Sequence, residues 1–136
     1  MALNEPLDES IDISTNVPLD VEKLMRAIDE QVAHVWMVRA FLKHSDEATD
    51  DEELASVHRD LYDFMLALGS ALDAGDGVAY LKMAKKKLSK LKKATELFVE
   101  IQPEISGHTN FKMAARSLEL AVRNIIGLLL RASSPP

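Results

Sequence analysis

Apolar residues return every three or four positions along four stretches of this chain, a period that belongs to helices. The first stretch runs from about Leu19 to His44, with Val21, Leu24, Ile28, Val32, Val35 and Leu42 in one stripe. The second follows Ser45 and carries Leu54, Val57, Leu61, Phe64, Met65, Leu68 and Leu72. The third, from about Val78 to Gln102, aligns Leu81, Ala84, Leu88, Leu91, Thr95 and Phe98. The fourth, from His108 or Thr109 to about Arg131, aligns Phe111, Ala115, Leu118, Val122, Ile125 and Leu129. Period-two alternation, the mark of a half-buried strand, is nearly absent.

Polar punctuation sets the expected ends. Pro18 suits a first helical turn, where its missing N–H would have no partner anyway. Thr49 and Glu52 have the spacing of a capping box. Gly75 and Gly77 close the second stretch, and Asp76 is placed to cap the third. Pro103 is expected to stop the third, and Gly107 precedes the fourth. The helices come to roughly 23–26 residues, or about 35–39 Å each. Short linkers between helices of equal length make neighbours antiparallel. The expected fold is all-α: an antiparallel up-down-up-down four-helix bundle over residues 18–132. An acidic N-terminal tail at 1–17 precedes it, and a frayed end at 133–136 follows.

Charge alters this picture more than composition does. The whole chain is net −6, yet residues 1–76 hold 18 acids against 5 Lys/Arg, and residues 77–136 hold 4 acids against 11. The halves are thus −13 and +7. There is no cysteine, which excludes disulfides, thiolate metal sites and cysteine nucleophiles, and fits a cytoplasmic protein. The segment before Asp20 has acids and no Lys or Arg, unlike a signal peptide. No apolar run is long enough for a membrane span.

Lys82, Lys85, Lys86, Lys87, Lys90, Lys92 and Lys93 are seven lysines within twelve positions. At helical spacing most fall opposite the Leu81–Leu88–Leu91 stripe, with Lys87 near its edge and able to snorkel. A solvated helix face accounts for such a run. Its functional counterpart is a docking surface, with Lys82, Lys86, Lys90 and Lys93 meeting an acidic protein partner. Sequence-specific nucleic-acid binding is not expected. The segment has no arginine, and Tyr80 and Phe98 fall on the core side. The tail acids Glu5, Asp8, Glu9 and Asp12, interleaved with Leu3, Leu7, Ile11 and Ile13, offer an internal partner for the same face. Met37, Phe41, Met113, Leu120, Leu128 and Leu130 lie off the main stripes and predict a second apolar face, hence a homodimer.

Catalytic constellations are scarce. There is no Glu-x-x-His pair for a di-iron bundle, no His-Glu-x-x-His and no phosphate loop, so no metal or cofactor is implied. The antiparallel layout gathers His44, His58 and His108 with Glu53, Glu100 and Glu104 at one end. Capping and exposure at helix ends account for His44 and His108 without a metal. Arg39 stands out because it falls inside the first apolar stripe, where a charge must be paired or must reach water. A carboxylate bridge is the expected answer, with Glu100 the candidate by level, and Trp36 is expected to pack beside it. His58 and Tyr62, one turn apart, complete a candidate polar pocket in which Arg39 takes an anionic group and His58 a proton.

Two functions follow as expectations. The first is a non-catalytic interaction or assembly protein working through its helix surfaces. The alternative is a small-molecule- or metal-binding bundle, even an enzyme, centred on Arg39, His58 and Tyr62.

Overall fold

The computed structural model describes residues 20–133. The tail expected over residues 1–17, its docking on the basic face, the start at Pro18 and Leu19, and residues 134–136 of the expected frayed end lie outside them. The described residues are all-α. The helices are α1 (Val21–Lys43), the single turn α2 (Glu47–Asp50), α3 (Glu52–Ala74), α4 (Gly77–Ile105) and α5 (Thr109–Ser133). Among the described residues no helix is long and apolar enough to cross a membrane.

Three of the four long helices begin where a short polar side chain takes up a free backbone N–H. Asp20 accepts from the Lys23 N–H at 3.0 Å, Asp51 from Leu54 at 2.9 Å and Asp76 from Ala79 at 3.0 Å. Such caps stabilise by about 1 kcal/mol each. The Thr49–Glu52 box is not formed. Asp51 is extended (φ −121°, ψ 112°) and breaks the chain between those two residues, so it caps α3 itself. Its carboxylate oxygen makes the stronger, charge-assisted bond. Upstream, the Ser45 hydroxyl donates to the Leu42 carbonyl at 2.7 Å and accepts from the Ala48 N–H at 3.3 Å, which holds α2 as a separate turn.

α3 ends at Gly75, whose φ of 67° is open to glycine at no steric cost. Two residues on, Gly77 is buried where α4 starts against the start of α1. A β-carbon there would sit 2.7 Å from Val21 Cγ1 and 3.1 Å from the Val21 carbonyl oxygen, so the approach requires glycine. Pro103 does not stop α4, which continues to Ile105. Pro103 and Val99, whose carbonyl it leaves without a donor, are both exposed, so water can take the missing bond. The helix closes instead with the Ser106 N–H on the Gln102 carbonyl at 3.0 Å, and the Gln102 amide donates to the Ser106 carbonyl at 2.8 Å.

The stripes face one another. Ile28, Val35 and Leu42 of α1, Leu54, Leu61 and Phe64 of α3, Tyr80, Leu91 and Phe98 of α4, and Leu118 and Ile125 of α5 are fully buried. α1 packs on α3 and α5, α4 packs on α3 and α5, and α1 meets α4 more narrowly across the core. Phe41 near the end of α1 meets Phe111 near the start of α5, edge to face with centroids 5.0 Å apart. Further along, Asn124 donates to Gln31 at 3.2 Å. Thr95, buried in α4, satisfies its hydroxyl on the Leu91 carbonyl at 2.8 Å.

The residues off the stripes divide. Met37, Met113, Leu120 and Leu130 are exposed, whereas Phe41 and Leu128 are half-buried against the core.

Candidate functional site

Because Leu81, Ala84, Leu91, Thr95 and Phe98 turn α4 inward, its lysines turn out. Lys82, Lys85, Lys86, Lys90, Lys92 and Lys93 are exposed, and Lys87 is half-buried with its stem along the apolar edge. Lys90 departs from the free set expected for partner docking. It reaches α3 and pairs with Asp63 at 3.5 Å and Asp60 at 3.8 Å. Helical rotation explains this, because Lys90 lies on the α3 side of the lysine arc. Among the described residues Lys82, Lys86 and Lys93 make no ion pair, and α4 has no acid between Gly77 and Thr95 to offset them.

The second candidate is an open groove of about 360 Å³ between α1 and α3, lined by Arg39, Lys43, His58, Arg59, Asp60, Tyr62 and Asp63. Arg39, His58 and Tyr62, singled out from the sequence, come together here. Arg39 does not bridge to Glu100 or to any carboxylate among the described residues. It stands on the α3 side of α1, whereas Glu100 is exposed on α4, which α1 meets only across the core. Its guanidinium instead lies 4.5 Å from the centroid of the Tyr62 ring and 5.0 Å from that of Trp36. Both distances are within cation–π range, where each contact contributes about 0.5–1 kcal/mol at an exposed site. The two rings are 6.4 Å apart and tilted by 50°. Trp36 thus packs beside Arg39 at the surface of the helix pair. It is 45% exposed and serves as one wall for Arg39. Among the described residues the buried Arg39 Nε has no hydrogen-bond partner.

The groove is electropositive on the side of Arg39, Lys43 and Arg59. His58 senses this. Its pKa lies below the ordinary imidazole value, first because burial disfavours the charged ring and then through the charges of Arg59, Arg39 and Lys43. Asp60 and Asp63, on α3 with Arg59, line the same groove, and Lys90 partly neutralises them.

The end of the bundle expected to gather histidines does not assemble a metal site. His44 and His108 line a shallow hollow of about 410 Å³ with Phe41, Ser45, Asp46, Glu47, Ser106, Asn110 and Phe111. His58 lies in the other groove, and Glu53, Glu100 and Glu104 border neither. Among the described residues no group of three or more His, Asp or Glu is arranged to hold a metal ion. His108 has a local role instead: its Nδ1 accepts the Asn110 N–H at 3.0 Å at the start of α5.

The sequence reading missed two features. Lys43 and Arg59 join the groove: Lys43 follows Arg39 by one turn of α1, whereas Arg59 is placed there only once α1 and α3 are set side by side. Tyr80, buried on the core side as expected, also turns its hydroxyl to the Asp29 carboxylate of α1 without reaching the geometry of a full hydrogen bond. Burial and the Asp29 charge push the phenol up. Burial likewise raises Asp29, an effect that Tyr80 partly offsets. Neither group opens on the groove.

No known protein family, curated protein or solved structure matches this chain.

Proposed function

We propose that this chain is a non-catalytic interaction protein, an antiparallel four-helix bundle that docks an acidic protein partner on the lysine face of α4. The observation that carries the reading is that, among the described residues, Lys82, Lys86 and Lys93 make no ion pair on an exposed helix face that has no acid before Glu96. Like charges crowded on one face repel, and a carboxylate-rich partner relieves that repulsion while steering its own approach. The face has neither the arginine forks nor the aromatic platforms that read bases, which favours a protein partner. The paired positions Phe41–Phe111 and Gln31–Asn124 support the antiparallel layout, since numbers rising on α1 meet numbers falling on α5. Self-association belongs to the same reading: Met37, Met113 and Leu120 are exposed on α1 and α5 and offer a second copy an apolar contact. A cytoplasmic setting suits a chain that draws nothing from disulfides.

The test is charge neutralisation. Lys82→Gln, Lys86→Gln and Lys93→Gln together should abolish binding to a poly-glutamate probe while leaving helicity and unfolding midpoint unchanged. Binding by the native chain should weaken steeply with salt. Native-level, salt-independent binding by the triple variant would exclude the lysine face as the docking surface.

A further inference from the structure

We propose that the groove between α1 and α3 is a separate binding site for a phosphate monoester carried on a small flat or apolar group. Four features converge on that chemistry.

Arg39, Lys43 and Arg59 place three permanent cations around one open hollow of about 360 Å³, and none is paired with a carboxylate among the described residues. Asp60 and Asp63 line the same hollow, but Lys90 is bound to them at 3.8 and 3.5 Å. Among the described residues, then, no carboxylate is bound to the cations of the Arg39 side. A phosphate monoester brings close to two negative charges and three acceptor oxygens, which matches several cations better than one carboxylate does.

Arg39 is also pre-positioned. Two aromatic faces hold its guanidinium at 4.5 and 5.0 Å, so much of the freedom that a mobile side chain loses on binding is already gone. The α4 lysines have no such support. The rings leave the planar fork its terminal N–H donors, while the Nε is buried and has no partner among the described residues. Planar donors in a fixed orientation are what bidentate phosphate recognition uses.

The surroundings set the rest of the ligand. Trp36 is 45% exposed, and Leu66, one turn beyond Tyr62 on the same helix face, is 63% exposed. A ligand anchored by its phosphate at Arg39 would thus lay a flat or apolar body along this border. The groove is open and shallow, which fits a small molecule held by its head.

The single tryptophan of the chain is Trp36, so its emission reports on this groove and not on the lysine face. Phenyl phosphate titrated into the full chain should give a saturable change in Trp36 emission. The same titration with inorganic phosphate should require about tenfold more ligand, the scale expected for losing the apolar contact. Arg39→Met, which keeps the stem and removes the charge, should weaken phenyl phosphate binding by about tenfold or more. Arg59→Gln alters only an exposed side chain. It should weaken binding severalfold with the fold intact, which keeps the test decisive even if the Arg39 variant unfolds. Lys86→Gln should change nothing, so failure of this site and failure of the lysine face are told apart. An unsaturable response to phenyl phosphate overturns the proposal. So does equal affinity for inorganic phosphate, or unchanged affinity in Arg59→Gln measured by calorimetry.

Discussion

On α4, Lys82, Lys86 and Lys93 project from an exposed helix face and make no ion pair among the described residues. On the α1–α3 edge, Arg39 is held over two aromatic rings at 4.5 and 5.0 Å. Both surfaces are basic, yet one is a diffuse field and the other a fixed geometry. A diffuse field attracts any acidic surface, depends on salt and costs little when one lysine is lost. A fixed guanidinium has a direction, so it selects the shape of what it binds and takes part in the packing of its own helix pair. Lys90 marks the boundary. It belongs to the first surface by sequence and to the second by contact, through Asp60 and Asp63.

The largest difference between the two surfaces should appear in stability. Arg39→Ala removes two cation–π contacts and a packed stem, for an expected loss of about 1–2 kcal/mol in urea unfolding. Lys86→Ala should stay within about 0.5 kcal/mol of the native chain. Equal effects would erase the contrast. Arg39→Lys sharpens it: charge is kept but the planar stack is lost, so most of the destabilisation should remain, at about 1 kcal/mol.

Lys90→Ala tests the boundary. Exposed ion pairs contribute about 0.2–1 kcal/mol, so a loss near 0.5 kcal/mol is expected, shrinking in high salt. A loss of zero at low salt would return Lys90 to the free set.

The smallest effect concerns pH. The folded chain holds His58 below the unfolded imidazole value of 6.5, so the unfolded chain binds that proton more readily. Stability is therefore full above 6.5 and falls as pH drops through the window between that value and the lower folded one. His58→Gln should flatten the slope of unfolding free energy against pH in that window. Lys93→Gln, on the other surface, should leave the slope as it was.

The all-α class and the inward stripes were legible because burial at helical period is a local property written into every stretch. Asp76 and Gly75 were legible for the same reason, since caps act over three or four residues. The start of α3 was misread because Thr49 and Asp51 both meet the local rule, and only the extended backbone at Asp51 chooses between them. Pro103 was misread because the cost of a proline depends on whether water reaches the carbonyl left behind. At the candidate site, the oddity of Arg39 was plain from its place in an apolar stripe. Its answer was not, because a partner on another helix depends on which helices are neighbours. Glu100 shares its level but stands across the core.

By itself the sequence determined which residues turn inward, where helices are punctuated, and that charge is split between an acidic first half and a lysine-rich helix. These follow from periodicity and composition, which need no knowledge of distant neighbours. Tertiary structure alone decided that Arg39 rests on Tyr62 and that Arg59 joins it around one hollow. It also decided that Lys90 turns to α3. Each depends on the rotation and pairing of two helices, and a shift of one residue in either would bring a different side chain to the groove.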